Sequence, residues 1–276
     1  MPRIGTSFVG EEQFPRPGSK MQRGLAMRKL LCAFLLGSIW TAGTLGNACA
    51  QSIEARQIME ATNADRAQRG LGPLKWDPAL ARAAQKHADL MVGQRTLSHQ
   101  YGGEADLDIR VGQEGAHFHV VAENLAAAPT ATALEEEWMH SPGHRANILD
   151  PRLNEIGVGL VRQGGYLWAV EDFSASVATL GSTEIESAIG RLLSERGLDP
   201  ACDIAAARET CAMDHGAAGG LRPKFIMRWE ASDLNRLPEV LEQKISTGRY
   251  RTAAVGSCDG GSEGGFTTYH LAVLLF

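Results

Sequence analysis

At 276 residues, 44% hydrophobic and 21% charged, the chain has ordinary globular composition and length for one or two domains, with no repeat or long low-complexity tract. Its formal net charge is −5, and loss of residues 1–50 would deepen it to −9. An acidic surface without a basic patch interleaved with aromatics excludes nucleic acid as an expected partner.

Residues 1–50 read as a leader and secretory signal. Arg28-Lys29 precede an apolar run from Leu30 to Trp40, and Ala48-Cys49-Ala50 offers small residues at the cleavage-specifying positions, so cleavage is expected after Ala50. Glycine, serine and threonine dilute the run, which falls short of the roughly 20 apolar residues of a membrane span; no stable membrane insertion is expected after cleavage. A lipid anchor on Cys49 is disfavoured by Gly46-Asn47-Ala48, which lacks the usual leucine. Residues 1–20 are polar for a leader, which makes Met21 or Met27 the alternative starts. The expected location is secreted or periplasmic. Cys202, Cys211 and Cys258 survive cleavage, enough for one disulfide with one cysteine left over, and the sequence does not choose the pair.

Ser52 to Arg69 predicts a helix stopped by Gly70, followed by a turn over Leu71 to Trp76. Asp77 caps a second helix with Pro78 in its first position; Leu80, Ala84, His87, Ala88 and Met91 share one face, which makes His87 a core histidine bonded to backbone. Leu97-Ser98-His99-Gln100 leads into an expected glycine-rich, acidic loop from Gly102 to Gly115. His117 and His119 alternate, so on a strand they share a face and form a weak metal pair without an evident third ligand. Val120 to Ala126 follows.

Thr132 and Glu135 have capping-box spacing for a helix carrying Leu134 and Trp138, and Ser141-Pro142 can start a short helix that places His144 in its first turn. Asp150-Pro151 ends it, Ile156-Gly157-Val158-Gly159 opens a strand, Gln163-Gly164-Gly165 turns, and Tyr166 to Phe173 returns. Helices first, a hairpin last and helices between predict a layered α+β fold.

Several of these stretches, in order, resemble the CAP superfamily of cysteine-rich secretory proteins, insect-venom antigens and plant pathogenesis-related proteins (the SCP domain), in its bacterial secreted branch. They are Asn63-Ala64-Asp65-Arg66, Leu74 to Leu80, Leu97-Ser98-His99, Glu123-Asn124-Leu125-Ala126, Trp138, Ser141 to Leu149 and Ile156 to Gly159. The resemblance implies an α-β-α sandwich over residues 51–178, with a cleft of two histidines and two glutamates. His99, Glu123 and His144 match three of these by motif. Where the eukaryotic proteins carry the second glutamate this chain has His140 and Ser141, so the fourth cleft residue is not assigned.

Two imidazoles and a carboxylate can supply three ligands to zinc or another divalent metal, leave a cleft for a small or lipid-like ligand, or pair as a general base with a positioned water. They can also be a buried polar network that only fixes the cleft. No serine or cysteine lies in a nucleophile motif, so the reading leans away from an enzyme. The expectation is a cleft, His99, Glu123 and His144, that binds a metal or ligand. An extracellular metal-dependent hydrolase and a structural or interaction module of the cell envelope are the alternatives. Asn63, Arg66, Asn124 and Asn147 are expected to hold backbone turns, and Trp138 and Trp168 to anchor the core.

Residues 179–276 predict a smaller α+β unit of docking or binding purpose. It has a helix over Ser182 to Arg196, a strand at Phe225 to Trp229, and a helix capped by Ser232 or Asp233 and running through Leu241 and Ile245. Strands follow at Tyr250 to Val255 and Phe266 to Phe276, with a flexible connection over Gly256 to Gly265.

Overall fold

The structure is a computed structural model that describes residues 52–201, 203–259 and 264–276. The expected signal over residues 1–50, the alternative starts and Cys202 lie outside the described residues.

Helix α1 (Ile53–Ala67) begins at Ser52, whose hydroxyl accepts from the Ala55 N–H at 3.0 Å. It is followed by β1 (Lys75–Trp76), α2 (Pro78–Gln94), α3 (Leu107–Gln113), β2 (Phe118–Ala128), α4 (Ala131–His140), α5 (Pro142–Ile148), β3 (Glu155–Gln163) and β4 (Tyr166–Ser176). The strands lie in the order β1-β3-β4-β2, with β1 parallel to β3 and the other pairs antiparallel.

Alternation along these strands builds an α-β-α sandwich. Ala126, Ile156, Leu167, Ala169 and Phe173 pack with Ile58 of α1 and Leu134 and Trp138 of α4. On the other face Leu125 and Val170 pack with Ala84, Ala88 and Met91 of α2. Gly157 and Gly159 point to this second face, where a Cβ would run into the α2 backbone at Leu80–Ala81 and Ala84–Gln85. The Ile-Gly-Val-Gly stretch thus gives one face to the core and leaves the other bare for a helix.

Polar side chains tie the connections down. Arg66, fully buried, donates to the carbonyls of Gly72, Ile148, Asp150 and Leu153, and Asn63 both donates to and accepts from the Leu74 backbone. These two residues hold turns, as expected from the sequence.

Three local expectations are corrected. The α4 cap is Thr130, accepting from the Ala133 N–H at 3.2 Å, so Thr132 and Glu135 do not form a capping box and Glu135 turns into the interior. Ser141 stands at the start of α5 with Pro142 behind it, but its side chain makes no capping bond. The loop expected over 102–115 contains α3. His117 and His119 are both exposed on either side of buried Phe118, and among the described residues no third ligand joins them; His117 Nδ1 meets the Thr267 hydroxyl at 3.1 Å.

The C-terminal unit consists of α6 (Ser182–Ser194), β5 (Asp199–Pro200), α7 (Ile204–Cys211), β6 (Phe225–Ala231), α8 (Glu239–Ser246), β7 (Thr252–Cys258) and β8 (Tyr269–Leu275). Its sheet has the order β5-β7-β8-β6. Ile185, Ile189 and Leu193 of α6 and Leu241 and Ile245 of α8 pack against Val255, Leu271 and Val273, a core that already includes Val177. α8 starts at Pro238, not at Ser232 or Asp233; Asp233 accepts from the Asn235 N–H in a turn. Helix α7, which the sequence reading missed, lies on β7 where Gly256 leaves room for the Ala207 carbonyl. A Cys211–Cys258 disulfide joins the two, with Cα atoms 5.7 Å apart.

Candidate functional site

The three residues singled out from the sequence come from three elements. His99 lies in the loop after α2, Glu123 on β2 and His144 in the first turn of α5. Asn147 carries α5 onto β2: its amide donates to the Glu123 carbonyl at 3.2 Å and to Asn124 Oδ1 at 2.9 Å, while the Asn124 amide reaches the His144 carbonyl at 3.3 Å. Asn124 and Asn147 therefore bind backbone and each other, as the sequence suggested.

Glu123 is the centre of the arrangement. Its side chain is 2% exposed, Oε1 lies 2.8 Å from His99 Nδ1, and Oε2 pairs with the Arg110 guanidinium. Burial alone would raise its pKa, but the His99 hydrogen bond and then the Arg110 charge hold it below the ordinary carboxylate value. Arg110 also donates to the His99 carbonyl at 3.2 Å. The sequence reading missed Arg110 because it placed residues 102–115 in a loop. Leu107 and Val111 at helical spacing were the available signal.

Below this triad, His87 is fully buried, and the expectation of a core histidine bonded to backbone is met and extended. Its Nε2 donates to the Ser98 carbonyl at 2.8 Å, and Nδ1 pairs with Glu104 at 2.6 Å. Glu104 in turn accepts from the Tyr101 N–H at 3.0 Å. The loop that presents His99 is thereby fastened to α2 on one side of His99 and to its own downstream turn on the other.

His99 has a side chain 35% exposed, and its Nε2 is the ring nitrogen left over from the bond to Glu123. His144 is half-buried, and its Nδ1 is enclosed without a hydrogen-bond partner. Burial first, and then the charge of neighbouring His99, lower the His144 pKa and favour the neutral ring. Asp172, the cross-strand partner of Glu123, is fully buried with both oxygens unpartnered; burial and then the Glu123 charge push its pKa well up. His140 is exposed, bonds the Glu136 carbonyl, and supplies no fourth cleft residue.

This geometry does not fit a three-donor metal centre. Both Glu123 oxygens are engaged by His99 and Arg110, and among the described residues no group of three or more histidines, cysteines or acidic residues is placed to hold an ion. Two concavities, of about 580 and 680 Å³, lie in the C-terminal unit, and neither is lined by His99 or His144.

Residues 59–173 match the model of the Cysteine-rich secretory protein family. Over this segment the chain is similar to CAP domains. Similar proteins are the uncharacterized protein YkwD of Bacillus subtilis, 34% identical over 117 residues, covering 41% of this chain and 44% of that protein, and the uncharacterized membrane protein YlbC of the same organism, 31% identical, covering 41% and 33%. The chain spans less than half the length of the curated relatives it matches. A solved extracellular protein containing a SCP domain from Bacillus anthracis is 28% identical, with 43% of this chain and 39% of that one covered and a TM-score of 0.41. The matched segment includes His99, Glu123 and His144, with Arg110 beside them.

Proposed function

We propose that the protein is a secreted or periplasmic CAP-domain protein whose cleft binds a small or lipid-like ligand between His99 and His144. The observation that carries this reading is the pair of imidazoles. His99 is oriented from behind by Glu123, which leaves Nε2 available, and His144 Nδ1 is an enclosed polar atom without a protein partner. A buried polar atom of this kind needs a partner, and a ligand polar group placed between the rings would supply it. The sequence features of residues 28–50 support export, and no helix among the described residues is long and apolar enough to cross a membrane.

Calorimetric titration of the purified mature protein with a lysophospholipid below its micelle concentration tests the reading, with His99→Ala and His144→Ala variants checked for folding by circular dichroism. Saturable binding lost in both folded variants supports it; absence of binding, or binding indifferent to both changes, overturns it. A parallel titration with zinc chloride that saturates near one equivalent and is lost in both variants would make the imidazole pair a metal site instead.

A second reading is favoured by the His99–Glu123 bond, which is the geometry of an oriented general base. A hydrolase would turn over a short-chain ester at a rate abolished in His99→Ala, whereas a binding cleft shows none.

A further inference from the structure

We propose that the C-terminal unit is a working part of the cleft: its residues 264–267 hold α3 in place, and α3 holds the Glu123–His99 pair through Arg110. The proposal rests on the reading of the cleft given above, and it assigns a role to a unit whose own sequence carries no catalytic motif.

The contact is made by backbone. The Phe118 N–H donates to the Gly265 carbonyl at 3.1 Å and the Thr267 N–H donates to the Phe118 carbonyl at 2.8 Å, so the segment lies along the first residue of β2 as a short parallel neighbour. The Phe266 ring meets the Phe118 ring edge-on, with centroids 4.9 Å apart.

The same segment presses on α3. A Cβ added to Gly112 would lie 2.5 Å from the Gly265 nitrogen, and one added to Gly264 would lie 2.5 Å from Ile109 Cδ1. Gly264 and Gly265 have φ of +59° and +84°, a left-handed path that a side chain would strain. This part of the expected flexible connection is therefore a fitted contact.

Ile109 and Gly112 share one side of α3 at a spacing of three, while Arg110 reaches Glu123 and the His99 carbonyl from another. With seven residues and no capping bond at Asp106, α3 has little stability of its own. Val111 anchors it in a small apolar cluster with Ala79, Leu80 and Phe118. Its far end otherwise relies on Glu114 pairing with the exposed side chains of Arg82 and Lys86, the kind of surface contact worth about 1 kcal/mol or less. The backbone seat on residues 264–267 is what completes the enclosure.

Hydrogen exchange of the full mature chain and the NMR signal of the His99 ring test this without any ligand, so a failed binding assay and a failed coupling are separable. Gly265→Val should unseat the segment, raise amide exchange across residues 107–113 roughly tenfold and shift the His99 signal. Phe266→Ala, which imposes no backbone strain, should do the same in smaller measure and stands in if the valine variant does not fold. Tyr269→Phe removes another junction bond, the Tyr269 hydroxyl to the Ala178 carbonyl, without touching α3, and should leave both readouts in place. Unchanged α3 exchange and an unchanged His99 signal in a variant whose 264–267 amides have become exposed would overturn the proposal.

Discussion

Glu135 of α4 and Glu171 of β4 reach the same hydroxyl: Thr62 Oγ1 lies 3.0 Å from one carboxyl and 2.9 Å from the other. A hydroxyl has one proton to donate, so at least one of the two acids must bring a proton of its own. Burial, the first cause in each case, pushes Glu135 up to about 7 and Glu171 well above the ordinary value, with the charge of Asp65 adding to the first and of Glu135 to the second.

These raised carboxyls give a pH dependence of definite sign. Protonated in the fold, they contribute stability that is complete below the unfolded glutamate pKa near 4.5 and is progressively lost as pH rises towards and through 7. Glu135→Gln keeps a neutral amide in place of the acid. Urea midpoints measured from pH 5 to 8 should fall with pH in the parent and fall distinctly less in the variant.

Arg110→Gln should leave Glu123 buried without its cation and cost about 3 kcal/mol. Adding Glu123→Gln should recover part of that loss, because the uncompensated charge is then gone. Urea denaturation of the two single variants and the double variant checks this; strict additivity would mean that the pair does not interact.

Gly159→Ala should destabilise by about 3 kcal/mol, at the upper end for overpacking, because the added methyl meets α2 backbone and not a movable side chain. Gly164→Ala, at a hairpin position with open space around it, carries only the strain of its positive φ, roughly 1 kcal/mol. Thermal melts of the two variants should rank in that order.

The Cys211–Cys258 bridge closes a sequence separation of 47 residues between α7 and β7, and by chain entropy its removal should cost roughly 4 kcal/mol. A Cys211→Ala, Cys258→Ala variant should melt earlier, with the loss localised by hydrogen exchange to α7 and β7.

Much of the N-terminal α-β-α sandwich could be read directly. Asp77-Pro78, Ser52 and the glycine pair at 164–165 are local signals that act within a few residues, and each marks the boundary it suggests. The three proposed site residues were named from the motifs they sit in, and the structure joins His99 directly to Glu123. Arg110 was hidden because its importance depends on a partner 13 residues on and on a helix of seven residues inside a glycine-rich stretch. Thr132 misled because Thr130, two residues earlier, offers an equally good cap, and only packing of Leu134 and Trp138 decides between them. Glu171 and Asp172 read as ordinary strand residues, since nothing in their neighbours announces that both faces of β4 are closed. In the C-terminal unit, α7 has mostly alanine where a stronger apolar stripe would have drawn notice.

The bare glycine face of β3 also sets a ruler for the molecule. Because α2 meets β3 backbone to backbone at Leu80–Ala81 and Ala84–Gln85, the helix has one seating, and His87 stands two residues beyond the last contact. Adding or deleting a single residue between Asp77 and His87 would swing the imidazole around the helix axis by about 100° and withdraw it from Ser98 and Glu104. The hairpin tip at 164–165, by contrast, has open space around both glycines, which makes that turn the place to insert a tag or a fluorophore.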